Sequence, residues 1–383
     1  MKTQRREQNS ALKKIVCFLI LSLSFEFCFL KRAHSAFEDV GTGARAVALG
    51  GAYTALGNDT WSLMYNPAGL ARLEHLEIIS EYSQLFSRLT DGSDLSQYFM
   101  GAGIPMKSFG TIALGCKEFG LKDLYSEKTY SLGYGKKIGS HLSVGGALKY
   151  LRHSFNVSTT AVDDNGAVQA GVPSLFSQKG NARGNMSSDI GFLYRLSDRQ
   201  LVGFSVRDLN QPNMALDNND SDRVTRTWHV GWARDNVQWL SLTADLSARQ
   251  SSSQSLDTTA MGGLEKEWGT AVTGDFALRG AMALGSREFR QCSMGFGYRW
   301  KSFNLDYAFV FNVSGLSIGS TAGTHRFSLA YRFGVKNIKL LQLEVVKKPV
   351  YEEGQEDLSY SVLKGPEDPS IGLNIEPAQR IEN

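Results

Sequence analysis

Between Arg290 and Phe333, apolar residues alternate with polar or small ones in three successive stretches. A period of two places alternate side chains on opposite faces of a β-strand, so each stretch predicts one strand. One face is unusually aromatic, whereas the other carries Arg299, Asp306 and Arg332 and must contact water. Segments of about ten residues with this alternation are typical of a transmembrane β-barrel. The apolar face comprises Cys292, Met294, Phe296, Tyr298, Trp300, Phe303, Leu305, Tyr307, Phe309, Phe311, Phe327, Leu329, Tyr331 and Phe333.

The same alternation extends toward the N-terminus and predicts a barrel of about fourteen strands over residues 74–333. Short connections alternate with long ones such as 154–184 and 209–224, as in outer-membrane barrels with periplasmic turns and external loops. We therefore predict an all-β, antiparallel transmembrane barrel in the bacterial outer membrane. The strand at 258–268 fits worst, because Lys266 falls on the apolar face. The predicted strands are 74–86, 95–106, 109–119, 127–137, 139–153, 185–196, 199–208, 225–234, 238–248, 258–268, 270–283, 290–300, 303–313 and 323–333.

Residues 1–35 have the features of a secretory signal peptide. A basic stretch ends at Lys14, an apolar run covers residues 15–30, and cleavage after Ser35 would follow small residues. A retained membrane anchor is the alternative. These residues carry seven basic and two acidic side chains, so the formal charge of +3 falls to 3 − 5 = −2 after removal. The mature chain then has no basic stripe, which argues against nucleic-acid binding.

Residues 36–73 lack the alternation and are rich in small side chains, so we predict an N-terminal hatch inside the barrel. A short helix should end at Gly50 and Gly51, and Asn66-Pro67 should hold the chain extended before a turn. Arg45 could bind a ligand carboxylate or, as we favour, pair with a lumen acid such as Asp275. The candidate ligand-binding or hatch residues are Arg45, Gly50, Gly51, Asn66 and Pro67.

Charged residues of both signs fall on the predicted inward face, which indicates a wet lumen crossed by salt bridges. Cys116 and Cys292 lie on apolar faces and should contact lipid, with a disulfide between them left open. Alternation stops at Gly334, and residues 334–383 predict a solvated periplasmic tail. The candidate lumen-lining residues are Asp189, Arg195, Asp245, Asp275, Arg279, Arg299, Asp306 and Arg332.

No pattern in the sequence predicts catalysis, a cofactor or a metal. Residues 41–46 match a dinucleotide-binding fingerprint only formally, since no strand precedes them. The histidines are scattered without paired spacing, and no nucleophile elbow surrounds any serine. Residues 163–166 resemble half a calcium loop but lack its closing glutamate. We therefore expect neither an enzyme nor a metalloprotein.

Three N-terminal motifs and two late-strand motifs resemble the PorV/PorQ-like branch of the FadL (long-chain fatty-acid transporter) superfamily. The resemblance implies a fourteen-stranded barrel with a hatch, made by the barrel-assembly machinery and surrounded by outer-membrane lipid. Some relatives carry hydrophobic compounds, whereas others assist type IX secretion. A conduit for small hydrophobic molecules is the favoured expectation, and an accessory barrel for secretion-system proteins is the alternative. The motifs are Gly43-Ala44-Arg45-Ala46, Gly50-Gly51-Ala52, Tyr65-Asn66-Pro67-Ala68-Gly69-Leu70, residues 276–280 and residues 325–333.

Overall fold

A computed structural model of the protein shows a closed antiparallel barrel of fourteen strands. Each barrel strand pairs with the next one along the chain, and the first pairs with the last. The predicted signal peptide, the half calcium loop at 163–166 and the tail after Gly334 lie outside the described residues. Those described are 37, 39–89, 93–156, 160–162, 168–170, 176, 179–217, 219–237, 240–250, 256–270, 274–286, 289–313 and 321–334.

The observed strands confirm the predicted fold class and differ from the predicted ones mainly at their ends. A small two-stranded sheet, β6–β7, lies in the connection between β5 and β8. The strands are β1 (Glu77–Leu85), β2 (Leu95–Pro105), β3 (Thr111–Leu121), β4 (Tyr125–Ile138), β5 (Leu142–Phe155), β6 (Thr160–Val162), β7 (Val168–Ala170), β8 (Ala182–Ser197), β9 (Gln200–Arg207), β10 (Thr227–Val237), β11 (Leu240–Gln250), β12 (Leu256–Thr270), β13 (Gly274–Gly285), β14 (Arg290–Trp300), β15 (Phe303–Asn312) and β16 (Thr324–Arg332).

Three expected connections were wrong. The link between β3 and β4 was expected to be long, but only residues 122–124 separate the strands. Tight turns were expected at Trp268-Gly269 and at Asp235-Asn236, but the first pair belongs to β12 and the second to β10. The turn residues of these hairpins carry no strong Gly or Pro signal, so the strand ends were poorly predicted from the sequence.

Side-chain burial follows the predicted alternation. On β14, Ser293, Gly295 and Gly297 face inward and are buried, whereas Met294 and Phe296 face outward and are 52% and 42% exposed. An exposed apolar face of this kind requires hydrocarbon around it. Lys266 does lie on the outward face, four residues before the end of β12 at Thr270. From there its long stem can carry the ammonium group toward the headgroups.

The segment before the barrel, residues 39–73, contains three short helices: α1 (Ala44–Ala48), α2 (Ser62–Tyr65) and the 3-10 helix Pro67–Arg72. Gly50 and Gly51 follow α1 with φ of 69° and 81°, a conformation that favours glycine and ends the helix as predicted. Asn66 is extended, and its side chain accepts a hydrogen bond from the backbone N–H of Ala68, which caps the 3-10 helix. No helix among the described residues has the length and hydropathy needed to cross a membrane.

The N-terminal segment packs against the inner wall of the barrel. A Cβ added at Gly145 would lie 2.3–2.4 Å from backbone atoms of Pro67 and Ala68, and one at Gly203 would lie 2.3 Å from the carbonyl oxygen of Thr54. Glycine at these inward-facing positions therefore permits direct contact between the segment and the strands. Apolar residues of the segment that are fully or almost fully buried are Ala44, Ala46, Ala48, Leu49, Ala52, Tyr53, Ala55, Leu56, Leu63, Ala68 and Leu70.

Candidate functional site in the barrel lumen

Arg45 on α1 lies at the centre of a polar network that joins the N-terminal segment to β12. Its Nε and one terminal nitrogen donate to the two carboxylate oxygens of Glu265, at 3.0 and 2.8 Å. The other terminal nitrogen contacts Tyr53 Oη at 3.1 Å and Asn58 Oδ1 at 3.0 Å. The expected pairing of Arg45 with Asp275 was therefore wrong, because Glu265 is the carboxylate opposite the helix.

Asp59 completes the network within the N-terminal segment. Its Oδ2 accepts a hydrogen bond from Tyr53 Oη at 2.6 Å and lies 3.5 Å from a terminal nitrogen of Arg45. Burial raises the pKa of Asp59, the nearby Glu77 raises it further, and Arg45 opposes both. Burial also raises the pKa of Tyr53, so this hydroxyl stays protonated and donates to the carboxylate. Arg45 thus balances the negative charge of two buried acids.

The network continues across the lumen through residues predicted to line it. Arg279 on β13 donates from Nε to Glu265 and from a terminal nitrogen to Asp306 Oδ1 at 2.6 Å. On β16, Arg332 Nε donates to Glu77 Oε1 at 2.8 Å. The other oxygen of Glu77 accepts the backbone N–H of Thr60 at 2.8 Å. These inward-facing charges are therefore compensated by partners, as the mixed signs in the sequence predicted.

Asp245 and Asp189 hold the other side of the network. Asp245 on β11 is buried, and its Oδ2 accepts the backbone N–H of Thr54 at 2.8 Å. Asp189 on β8 pairs with Lys149 at 2.8 Å, and the same ammonium group reaches Asp208 at 2.7 Å. Asp245 thus anchors the N-terminal segment, whereas Asp189 ties β8 to the connection after β9.

Three of the predicted lumen residues lie closer to the ends of the barrel. Arg299 and Asp275 form a pair at 3.0 Å, with side chains 39% and 45% exposed. Arg195 is exposed beside the turn between β8 and β9. Alternation assigned the correct face to these residues but gave no information on their depth.

Of the predicted hatch residues, Asn66 bonds both to the N-terminal segment and to β8. Its side-chain amide donates to the carbonyl oxygens of Thr54 at 2.8 Å and Phe192 at 3.1 Å. Pro67 lies against Gly145, where only a hydrogen atom fits. Gly50 approaches Ala281 on β13, and Gly51 approaches Met261 on β12. Asn66 and Pro67 therefore lie where the segment meets the inner wall of the barrel.

A second set of contacts between the N-terminal segment and the strands lies near the loop end of the barrel. It was not predicted from the sequence, although Arg207 itself was expected to face inward. Arg326 on β16 is buried and contacts Glu81 at 2.7 Å and the carbonyl oxygen of Gly41 at 3.1 Å. Glu81 in turn accepts the backbone N–H of Gly43. Arg207 on β9 reaches Asp39 at 2.6 Å. Glu81 and Arg326 occupy inward-facing positions on their strands, beside the glycine-rich N-terminal segment. This position in the alternation was the feature of the sequence that could have identified them.

A cavity of about 770 Å³ lies between the N-terminal segment and the loop ends of the neighbouring strands. Gly50 and Gly51 line it, whereas Arg45, Asn66 and Pro67 do not. Its wall combines aromatic side chains such as Phe289 with charged ones such as Arg207. Its volume is that of a site for a small molecule, about 300–1,000 Å³.

Among the described residues, no group of His, Cys, Asp and Glu side chains could hold a metal ion. Cys116 and Cys292 face outward on β3 and β14 and are free thiols, so the disulfide left open above does not form. His229 is buried beside Arg207 in the lumen, and His325 faces outward beside Tyr307, at 2.8 Å.

Comparison with protein families gives a match to the type IX secretion system membrane protein PorP/SprF over residues 101–331, more than half of the chain. The chain belongs to the PorP/SprF family. This PorP/SprF protein is therefore an outer-membrane barrel of a family defined by type IX secretion. The match supports the expected outer-membrane localisation, and it is to PorP/SprF and not to PorV/PorQ.

Solved structures of low sequence identity share the fold of this PorP/SprF protein. The toluene transporter TbuX of Ralstonia pickettii is 12% identical, with 78% of this chain and 100% of that chain covered and a TM-score of 0.54. The toluene transporter TodX of P. putida is 12% identical, with 76% and 99% covered and a TM-score of 0.52. No curated protein sequence matches the chain. These two structures are toluene transporters, and the matched family is one of type IX secretion system membrane proteins.

Proposed function

We propose that this protein is a closed outer-membrane barrel that serves type IX secretion, with residues 39–73 as a hatch that keeps the lumen shut. The observation that carries the proposal is the set of buried bonds between this segment and strands on all sides of the barrel. Arg45–Glu265, Thr54–Asp245 and Gly43–Glu81 are three of them. A segment held by buried ionic and backbone bonds opposes free passage through the lumen.

If the lumen is shut, partner proteins bind instead to the connections between strands on the outer side of the membrane. The connection after β9 is ordered: Met214 and Val224 are buried against Leu151, and Lys149 binds Asp208. Burial raises the pKa of the Asp208 carboxyl, but Lys149, Ser187 and Arg207 together hold it below its usual range, so the pair stays charged. We propose that this connection and the longer one between β5 and β8 contact secretion-system proteins. The PorV/PorQ-like relationship remains a proposal that rests on the hatch motifs.

The cavity above the hatch favours a second candidate function, the binding or passage of small hydrophobic molecules. The two solved structures described above, which share this fold, are toluene transporters. Here the cavity has the size of a site for such a molecule, and Leu85, Phe289 and Val310 supply apolar wall. Passage of a small molecule through the lumen would require the hatch to move, whereas binding of secretion-system proteins to the external connections would not.

One deletion strain separates the two candidates. In the bacterium that carries this gene, we expect deletion of the gene to leave type IX cargo in the periplasm. The amount of cargo at the cell surface should fall by roughly an order of magnitude from the wild-type level. The wild-type gene on a plasmid should restore export. Uptake of radiolabelled toluene by the same cells should not change. Normal export together with lost toluene uptake would reject the secretion role and support the conduit.

Processing and topology complete the proposal. Removal of residues 1–35 would leave the hatch at the amino end of the mature chain, and residues 334–383 would follow the last strand into the periplasm. Both statements rest on the sequence patterns given above.

A further inference from the structure

The lipid-facing side of the barrel carries a cluster of charged side chains on three adjacent strands. Glu118 of β3, Lys128 of β4 and Arg152 of β5 are direct cross-strand partners. They occupy outward-facing positions, because Glu127 and Leu151, the chain neighbours of Lys128 and Arg152, are buried on the inner side. Charged groups on this face need a polar partner at the depth where they lie.

The cluster lies near the outer ends of the strands. Lys128 is close to the start of β4 and Arg152 close to the end of β5, next to the connections assigned to the outside. Two residues farther along each strand, toward the middle of the membrane, the rings of Tyr130 and Tyr150 stack with centroids 6.5 Å apart. Such aromatic side chains mark the boundary between hydrocarbon and headgroups. Lys128 and Arg152 are therefore placed at headgroup level in the outer leaflet.

The cluster has one more positive than negative charge. Lys128 Nζ lies 3.1 Å from Glu118 Oε1, which also accepts a hydrogen bond from Ser126 Oγ at 3.3 Å. The side chain of Arg152 makes no ion pair or hydrogen bond with the described residues. It is paired in register with Gly184, which has no side chain to cover it. Glu118 thus orients the ammonium group, and the guanidinium is left open to a ligand.

We propose that Lys128 and Arg152 bind a phosphate group of lipopolysaccharide in the outer leaflet. An arginine fork matches two phosphate oxygens, and a lysine ammonium beside it supplies a second charge-assisted bond. Tyr130 and Tyr150 would lie against the acyl chains and sugar just below. This site is independent of the proposed secretion role, because it needs neither the lumen nor a protein partner.

The test compares two double variants of the full-length protein in detergent, with purified bisphosphorylated lipid A as the ligand and native mass spectrometry as the readout. Lys128→Gln/Arg152→Gln should bind lipid A about tenfold more weakly, given the contribution of each cation near an anionic surface. Lys136→Gln/Lys266→Gln removes two outward-facing cations near the opposite ends of the strands and should bind as the wild type does. Wild-type affinity for dephosphorylated lipid A should fall to that of the first variant.

Equal binding by wild type and Lys128→Gln/Arg152→Gln would overturn the proposal, as would equal binding of phosphorylated and dephosphorylated lipid A. Tighter binding of phosphatidylglycerol than of lipid A would replace it with a site for anionic phospholipid. Folding is checked by the gel mobility of unboiled samples. If the double variant does not fold, the single variants Arg152→Lys and Arg152→Gln replace it. Arg152→Lys keeps the charge without the fork, so its affinity for lipid A should fall by a smaller but measurable amount. Unchanged affinity for lipid A in both single variants would also overturn the proposal.

Discussion

Replacing Arg45 by methionine should lower the free energy of unfolding by about 3 kcal/mol, because it leaves buried carboxylates without their cation. Glu265 retains Arg279, but Asp59 loses its nearest positive charge. The released segment should also let ions through, so planar-bilayer recordings should show openings that the wild type lacks. Unfolding in guanidinium, followed by gel mobility of unboiled samples, measures the loss of stability.

The matched control is Arg299→Met. Arg299 pairs with Asp275 at 3.0 Å, but both side chains are more than a third exposed. Solvent screens such a pair, so its loss should change the free energy of unfolding by no more than about 1 kcal/mol. Equal destabilisation by Arg45→Met and Arg299→Met would mean that the Arg45 network does not hold the segment.

The loss of unfolding free energy caused by Arg45→Met, called the deficit below, should also depend on pH. Burial and Glu77 already raise the pKa of Asp59, and loss of Arg45 raises it further. A carboxyl with a raised folded-state pKa binds a proton in the folded protein before it does so when unfolded, so its protonation stabilises the fold as pH falls. The loss of unfolding free energy in Arg45→Met should therefore become smaller as the pH falls from neutrality toward the ordinary pKa of an aspartate, about 3.9. A deficit independent of pH would argue against Asp59 as the carboxylate that loses its partner.

Gly145→Ala should displace the N-terminal segment, whereas Gly146→Ala should not. At Gly145 the new Cβ would meet backbone atoms of Pro67 and Ala68 at 2.3–2.4 Å, and backbone cannot rotate away as a side chain can. Overpacking of this kind costs about 1–3 kcal/mol. At Gly146, which faces outward, the nearest atom is the carbonyl oxygen of Asp189 at 3.6 Å, an ordinary contact.

Limited proteolysis of outer membranes measures the difference. We expect a protease added to permeabilised cells to cut within residues 39–73 of Gly145→Ala at least several-fold faster than in the wild type. Gly146→Ala should be cut at the wild-type rate, because its added methyl group faces lipid. Identical cleavage of the two variants would indicate that the segment does not lie against β5.

The sequence predicted the strands well because lipid constrains every second residue of each one. On β14 and β16, the outward parity is apolar throughout most of the strand, so even short segments gave a clear signal. The partners in the lumen were harder to predict. Arg45 lies opposite Glu265 and not Asp275 because contacts across a barrel depend on strand tilt and stagger, which alternation does not encode.

The site was also incompletely predicted because parity gives the face and not the depth. Arg195 has inward parity but lies exposed near a turn, whereas Arg326 has the same parity and is almost fully buried. A better signal was available in glycines of inward parity. Gly145 and Gly203 mark where the N-terminal segment touches the wall, and both positions could have been identified from the sequence once the strands were assigned.

A disulfide between Thr60→Cys and Gly103→Cys tests most directly whether residues 39–73 fill the lumen. A Cβ added at Gly103, on the inner face of β2, would lie 3.5 Å from the Cβ of Thr60 in the segment, which is within disulfide range. The variant also carries Cys116→Ser and Cys292→Ser, and Thr60→Cys with Gly262→Cys on the outward face of β12 is the control. After mild oxidation of intact outer membranes, mass spectrometry of tryptic peptides should find the two introduced cysteines linked in most molecules of the variant and in none of the control. A protein that folds and inserts but forms no such link would contradict a lumen filled by its N-terminal segment.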